Sequence, residues 1–245
     1  MTANELKRYI LVKFDSLYSG SAPGYEDDEL SILVTNAQLL YVLDTLKSSP
    51  NKDTFEESEV KKQGLSALIK DGDEAVDPPT ELTTTVGTLE GERYWKLPAD
   101  FMFAIYEAAN TNVPYCGDPT LKTFRRIPVF PIQHNEYNQN FYNPYQKPYC
   151  DGEFGKVWRI NHGRINGDRV HGLITDGSFN VTKYFLRYLK QPPAIVIDET
   201  NPANQVDCIL DSTYHYAVGD IAIMLMNKAI VTQVPITALN INDLI

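Results

Sequence analysis

Residues 156–175 read KVWRINHGRINGDRVHGLIT. Two runs, KVWRINHG (156–163) and DRVHGLIT (168–175), flank the pair Asn166-Gly167. Both runs have strand character. An Asn-Gly pair between two such runs is a strong signal for a two-residue hairpin, because both residues tolerate the positive φ that the turn demands. The same character continues in VTKYFLRYLK (181–190) and AIVI (194–197), with Pro192-Pro193 between them. Upstream, LTTTVGTLEGERYWKL (82–97) predicts two strands around Glu90-Gly91, and FMFAIYEAA (101–109) fits a strand or a short helix, the strand being preferred. Residues 110–128 contain Pro114, Gly117, Pro119 and Pro128 and read as loop with at most short strands. In PIQHNEYNQNFYNPYQKPY (131–149), Asn and Tyr dominate and prolines interrupt. A short helical turn at about 132–140 followed by an extended loop is expected there.

Outside this region the period changes to that of helices. Thr2 with Glu5 forms a T-x-x-E capping box, and Leu6, Tyr9, Ile10, Phe14 and Leu17 then recur at helical spacing. Asp27, Asp28 and Glu29 open a second helix, which is apolar on most sides and so reads as central in a bundle. A third is expected over about 54–69, stopped by Asp71-Gly72. The last begins near Asp211 or Ser212, carries Tyr214, Val218, Ile221, Ala222 and Leu225 on its apolar side, and ends before Pro235. Gly219 is either a weak point in it or a place of close packing. The order of helices, strands and helix predicts an α+β protein: an antiparallel helical bundle with an inserted β-rich region and an extended C-terminal tail. The bundle is expected from 1–72 and 211–231, the β-rich insertion from 80–210, and the tail from 232–245.

Composition narrows the function. The formal charge is -10, from 22 Lys and Arg against 32 Asp and Glu, which argues against coating nucleic acid through phosphate contacts. No apolar run is long enough to cross a membrane as a helix, and MTANELKRYI lacks the apolar core of a signal peptide. Three cysteines, Cys116, Cys150 and Cys208, form no C-x-x-C pair, which fits a reducing cytoplasm and offers no metal framework. Tyrosine is unusually prominent, 15 residues against 10 Phe and 2 Trp. Its apolar body and polar tip suit a surface buried against a partner yet partly wet.

Few constellations could carry chemistry. There is no HExxH, GxSxG, Walker loop or GxGxxG. His162 and His171 fall on adjacent strands of the expected hairpin, roughly opposite each other, but a plain polar pair explains them better than a metal site. Cys150 with His134 or His162 as base would make a small Cys/His hydrolase, although a cysteine more often acts as a small buried hydrophobe. Lys183 and Arg187 share one face of a strand, a basic stripe better suited to an acidic neighbouring subunit than to nucleic acid. No catalytic residue, cofactor or metal is therefore expected, and a structural or assembly role is favoured.

The order of certain segments carries a resemblance. They are NELKRYILVKFDSL (4–17), ELSILVTNAQLLYVL (29–43), LPADF (97–101), VFPIQHNEYNQNFYNPYQKPY (129–149), VWRI (157–160), YFLRYLKQPPAIVI (184–197) and CILDSTYHYAVGDIAIML (208–225). In this order they make the chain similar to the head–tail adaptor (ring, or connector) proteins of short-tailed crAss-like phages, which are related in plan to adaptors of the tail tubular protein A type. The resemblance implies a virion protein and not an enzyme, made in the bacterial host cytoplasm. It implies a twelve-fold ring of copies beneath the portal protein, extending the channel through which genomic DNA passes without specific binding, and docking tail ring or hub proteins. No membrane is involved. The tail 232–245 is then expected to dock on the portal or a neighbour through Val234, Ile236, Leu239, Ile241 and Leu244. Tyr137, Tyr142, Tyr145, Tyr149, Tyr184 and Arg187 become candidates for contacts between subunits. Another tail-side ring component of the same virion is the alternative within this class.

Overall fold

The computed structural model describes residues 1–18, 24–47, 63–71, 79–82, 89, 91–112, 126–151 and 154–232. The chain divides into two compact units, one from the described residues of Met1–Leu68 and Gln191–Ile245, the other from those of Ile69–Lys190.

Among its described residues the first unit holds three helices, α1 (Ala3–Tyr18), α2 (Asp27–Lys47) and, later in the chain, α4 (His215–Thr232). The capping box forms: the Glu5 carboxylate accepts from the Thr2 amide at 2.8 Å, and the Thr2 hydroxyl accepts from the Glu5 amide at 3.3 Å. Helix α1 buries Leu6, Ile10 and Phe14, and α4 packs against both α1 and α2. Gly219 is a point of close packing, since a Cβ there would stand 2.8 Å from the Tyr9 ring. Tyr9 and Lys13 both reach Asp220 across this contact, at 2.9 and 2.7 Å.

Helix α2 is covered differently from expectation. It buries Leu30, Leu33, Val34, Ala37, Gln38 and Val42, but much of its cover is extended chain. Residues 193–208 form a strap along it, closed on itself by a single bridge between Val196 and Val206. The strap is hung from polar side chains of the helix. Gln38 donates to the Pro193 carbonyl at 3.0 Å and accepts from the Cys208 thiol at 3.1 Å, while the Ile195 and Ile197 amides donate to Thr35 and Ser31. Gln38 is fully buried, so these partners offset its desolvation. Lys7 ties the same region together, pairing with Asp27 at 2.5 Å and Glu199 at 2.9 Å.

The second unit is a nine-stranded mixed sheet. Its strands are β1 (Ile69–Asp71), β2 (Thr80–Leu82), β3 (Glu92–Lys96), β4 (Phe101–Thr111), β5 (Ile127–Pro131), β6 (Tyr149–Asp151), β7 (Phe154–Ile165), β8 (Asp168–Ile174) and β9 (Val181–Lys190). The order is β1-β9-β4-β5-β7-β8-β3-β2, with β6 pairing β7 at the side. All pairings are antiparallel except β5 with β7, whose connection carries the short helix α3 (His134–Phe141). The β7–β8 hairpin turns at Asn166 and Gly167 with φ of +51° and +92°, as the Asn-Gly pair demands.

This sheet curls. Strands β9 and β3 are five steps apart in the order, about 24 Å in a flat sheet at about 4.8 Å per strand. Yet the rings of Tyr184 on β9 and Trp95 on β3 lie 6.0 Å apart, and those of Phe101 on β4 and His171 on β8 lie 5.4 Å apart. Register shifts along β4 and β9 accommodate the bend. The concave side encloses a core of Trp95, Leu97, Phe101, Val157, Leu173, Tyr184, Leu186 and Tyr188.

The expected antiparallel helical bundle with a β-rich insertion is therefore corrected. Among the described residues the nine-stranded mixed sheet is a compact unit of its own and helices are few, so the sheet is no insertion in an antiparallel helical bundle. AIVI (194–197) is no sheet strand, and residues 191–210 belong with the helices, not with the strands. The physical reason is that, among the described residues, α2 satisfies one flank with a hydrogen-bonded strap of extended chain. Of the third expected helix, 54–62 lie outside the described residues. At its far end Ser66–Leu68 is a 3₁₀ turn and Ile69 already begins β1.

Gln38→Leu keeps the volume of the side chain but leaves the Pro193 carbonyl without its donor. We expect a loss of about 1–3 kcal/mol, read as a lower urea midpoint. Amide exchange at Ile195 and Ile197 should accelerate more than in α1. An unchanged midpoint would show that Gln38 does not hold the strap.

Candidate interaction surface

The tyrosine-rich segment 131–149 separates into an anchored part and an exposed part. In α3, Tyr137 is buried, stacked on Phe141 at 5.1 Å and edge-on to Trp158 of β7 at 6.3 Å. These rings, with Ile160 and Ile174, fix the helix to the sheet. The loop that follows is held by its own polar groups. Asn143 accepts from the Tyr145 amide through its side chain at 3.1 Å and from the Lys147 amide through its carbonyl at 2.9 Å. With the backbone so fixed, Tyr142 and Tyr145 project outward, 82% and 92% exposed, and Tyr149 is exposed to a lesser degree. Phe130 of β5 and Phe154 of β7 are also exposed. Exposed aromatics gathered on one loop, like Tyr142 and Tyr145, mark a surface that meets a partner. Beside the loop lies a pocket of about 300 Å³ with Phe130, Ile132 and Trp158 in its wall and Lys156 at its side.

Arg187 lies on the outer side of β9, paired in register with Asp71 of β1, and its guanidinium stands 3.1 Å from the Asp71 carboxylate. Tyr184, three residues earlier, faces the concave core instead and belongs to a closed polar cycle. Arg159 donates to Nε2 of His171 at 3.2 Å, which leaves the ring proton on Nδ1, 3.0 Å from the Tyr184 hydroxyl. Tyr184 in turn donates to Glu107, and the second Glu107 oxygen pairs with Arg159 at 3.3 Å. Burial sets the protonation states in this cycle. It pulls His171 down to about 3, helped by the Arg159 and His162 charges, so the imidazole is neutral. It raises Tyr184, with Glu107 adding to the effect, and it raises Glu107 against the pull of Arg159 and the Tyr184 hydroxyl.

His162 and His171 are not the opposed pair that the hairpin suggests. A bulge after Asn161 pairs His171 with Asn161, and the two imidazoles face opposite sides of the sheet. His162 instead meets the buried carboxylate of Glu92 at 2.6 Å, which also accepts from the Tyr94 hydroxyl at 2.7 Å. Gly172 makes room for that pair, because a Cβ there would lie 2.0 Å from the Glu92 oxygen. Among the described residues no group of three or more His, Cys, Asp or Glu is arranged to hold a metal. Cys150 packs against the core of the sheet, and burial raises the Cys208 thiol in the strap. The tail positions Val234, Ile236, Leu239, Ile241 and Leu244 lie outside the described residues.

Of the expected contact residues, the fold thus presents Tyr142, Tyr145, Tyr149 and Arg187 at the surface and commits Tyr137 and Tyr184 to the interior. Sequence reasoning missed the exposed Phe130, Phe154 and the pocket. Phe130 and Phe154 sit in strands, where a single apolar residue looks the same whether it faces the core or solvent.

The family model described as phage tail ring protein 3/4 matches residues 1–236. The chain belongs to that family. It is 27% identical over 198 residues to ring protein 4/5 of Bacteroides phage crAss001, covering 80% of this chain and 75% of that one. To ring protein 3 of the same phage it is 27% identical over 224 residues, covering 86% and 87%. As a family member it is a structural ring component of a phage virion, and the match takes in every described strand and helix. The resemblance to crAss-like ring proteins, read from the order of segments, therefore holds. No described helix is long and apolar enough to cross a membrane.

The polar cycle generates a pH prediction. His171 titrates at about 3 when folded and near its ordinary value of 6.5 when unfolded. Between these values the unfolded chain takes up a proton that the folded chain refuses, so stability falls as pH falls below about 6.5. The slope from this group approaches about 1.4 kcal/mol per pH unit. The raised Glu107 acts in the opposite sense, gaining a proton in the folded state first. His171→Gln, which keeps an acceptor for Arg159 and a donor for Tyr184, should flatten the acid slope. Urea midpoints between pH 7 and 4.5 compare the two. Parallel profiles would show that His171 does not govern the acid response.

Proposed function

We propose that this protein forms a closed ring in the head–tail connector below the portal, extends the channel for genomic DNA, and docks further tail proteins. The observation that carries the reading is the outward display of Tyr142 and Tyr145 on a loop fixed by its own hydrogen bonds, in a chain that belongs to a ring-protein family. A loop already ordered before contact loses little entropy on binding. Each copy in a closed ring uses two unlike patches, and rotation closes the assembly. Tyr142, Tyr145 and Tyr149 are candidates for one such patch and Arg187 for the other, with Tyr137 and Tyr184 fixing the elements behind them. Twelve copies surround the channel. The net charge of -10 per copy favours a wall that repels phosphate and lets DNA slide. The segment after α4 docks on the portal or a neighbouring copy through Val234, Ile236, Leu239, Ile241 and Leu244.

A tail-side position in the same virion, without portal contact, is the second reading. The family's description as tail ring proteins favours it. Native mass spectrometry of the full chain mixed with the portal ring from the same genome separates the two. About twelve added copies, the closure expected for this adaptor class, support the portal-proximal ring, whereas no addition moves the protein to the tail side.

Truncation after Thr232 should leave the urea midpoint unchanged while abolishing addition to the portal; full addition by the truncated chain would remove the docking role of the tail. Replacing Tyr142 and Tyr145 with Ser should alter stability by no more than about 0.5 kcal/mol and still prevent ring closure, checked by counting copies in the same spectra.

A further inference from the structure

The pocket beside the tyrosine loop is chemically distinct in a chain of net charge -10. Its floor is aromatic, from the exposed Phe130 and the buried Trp158. The Lys156 ammonium lies 5.5 Å from the centre of the Phe130 ring and 5.7 Å from that of Trp158, and donates to the Gln146 carbonyl at 3.0 Å. No carboxylate among the described residues pairs with it. Glu136 lines the same pocket, but its carboxylate turns back to the Gln133 amide as part of the cap of α3. Lys7, Lys13, Lys70 and Lys96 are each paired with an acid of their own chain. Lys156 is a half-buried cation on an apolar floor, in a protein with 32 acidic residues against 22 basic ones.

We propose that this pocket is the receiving half of the contact between neighbouring copies in the ring, and that the next copy fills it with an apolar side chain flanked by a carboxylate. The proposal rests on the ring reading above and specifies its interface. A carboxylate arriving over the aromatic floor meets Lys156 in a site from which water is largely displaced, where the pairing is stronger than on open surface. The apolar side chain covers Phe130 and the exposed side of the floor. Because the chain is acidic overall, each copy carries many candidates for the donor, whereas the receiving chemistry is rare. The pocket and the Tyr142–Tyr145 loop share Gln146 and so form one patch. If that patch met its own copy the result would be a two-fold dimer; a ring requires that it meet a different surface of the next copy.

The test uses the full chain in virions. A tagged copy carrying the photo-crosslinking residue p-benzoylphenylalanine at Phe130, and a second with it at Gln146 on the opposite rim, are supplied to infected cells beside the wild-type protein. Purified virions are irradiated and crosslinked peptides mapped. The expected product is a crosslink to another copy of this chain, at an apolar stretch containing Asp or Glu outside 130–158. Lys156→Glu in the probe chain should lower its yield at least tenfold without moving the melting temperature. The proposal is overturned by a crosslink to a different virion protein, by pocket-to-pocket crosslinks, by yields that ignore Lys156→Glu, or by no crosslink from either probe. Failure of the ring reading is distinct: the tagged wild-type chain would then enter virions yet give no crosslink to another copy of itself with a general lysine-reactive reagent.

Discussion

The cycle of Arg159, His171, Tyr184 and Glu107 is the interaction on which the β unit depends. Its members come from two neighbouring pairs of strands, β7 with β8 and β9 with β4, which β5 separates in the sheet order. They meet only because the sheet is curled, and their meeting opposes its flattening. A buried guanidinium and a buried carboxylate are each costly alone, and removing either would strand the other. Here three hydrogen bonds and the Arg159–Glu107 ion pair close a loop, with the neutral imidazole and the protonated phenol between the two charges. The aromatic rings of Trp95, Phe101 and Tyr188 fill the remaining concave space. The curl is thus specified by polar pairing as well as by apolar volume.

The helical unit solves a similar problem by different means. Helix α2 carries polar residues, Ser31, Thr35 and Gln38, on the flank that meets chain 193–208. Extended backbone has unpaired amides and carbonyls, so it can lie on a helix only where side chains satisfy them. Those three residues do so, and the strap takes the place that a further helix would have in a bundle. Both units therefore place polar side chains at positions where apolar patterning would suggest pure hydrophobic packing.

The outer surface follows from this internal economy. Helix α3 is pinned by Tyr137 and Phe141, β9 is pinned by Tyr184, and the loop between α3 and β6 is ordered by Asn143. What remains for a partner is presented on fixed backbone: the exposed tyrosines, Phe130 and the Lys156 pocket. A ring component needs surfaces of this kind, because closure depends on the angle between copies, and a loose patch would not fix that angle.

Local signals in the sequence determined much of the secondary structure. The T-x-x-E box, the acidic start of α2, the Asn166-Gly167 turn, the strand expected after Glu90-Gly91 and the strand patterns of 101–109 and 181–190 act over a few residues; each appears, with β4 running on to Thr111. The order of segments also determined the family. Tertiary structure alone decided the rest. Whether AIVI became a sheet strand or a strap depended on Gln38, 157 positions away from Ile195 in the sequence. Whether Tyr184 faced a neighbour or the core depended on the curl, which is set by contacts among strands distant in the chain. The bulge after Asn161 turned His162 away from His171, and a bulge leaves no mark in a short run of residues. Period and capping are properties of a single segment, so they can be read from it; facing, curl and cover arise from pairs of segments, and only the folded chain brings those together.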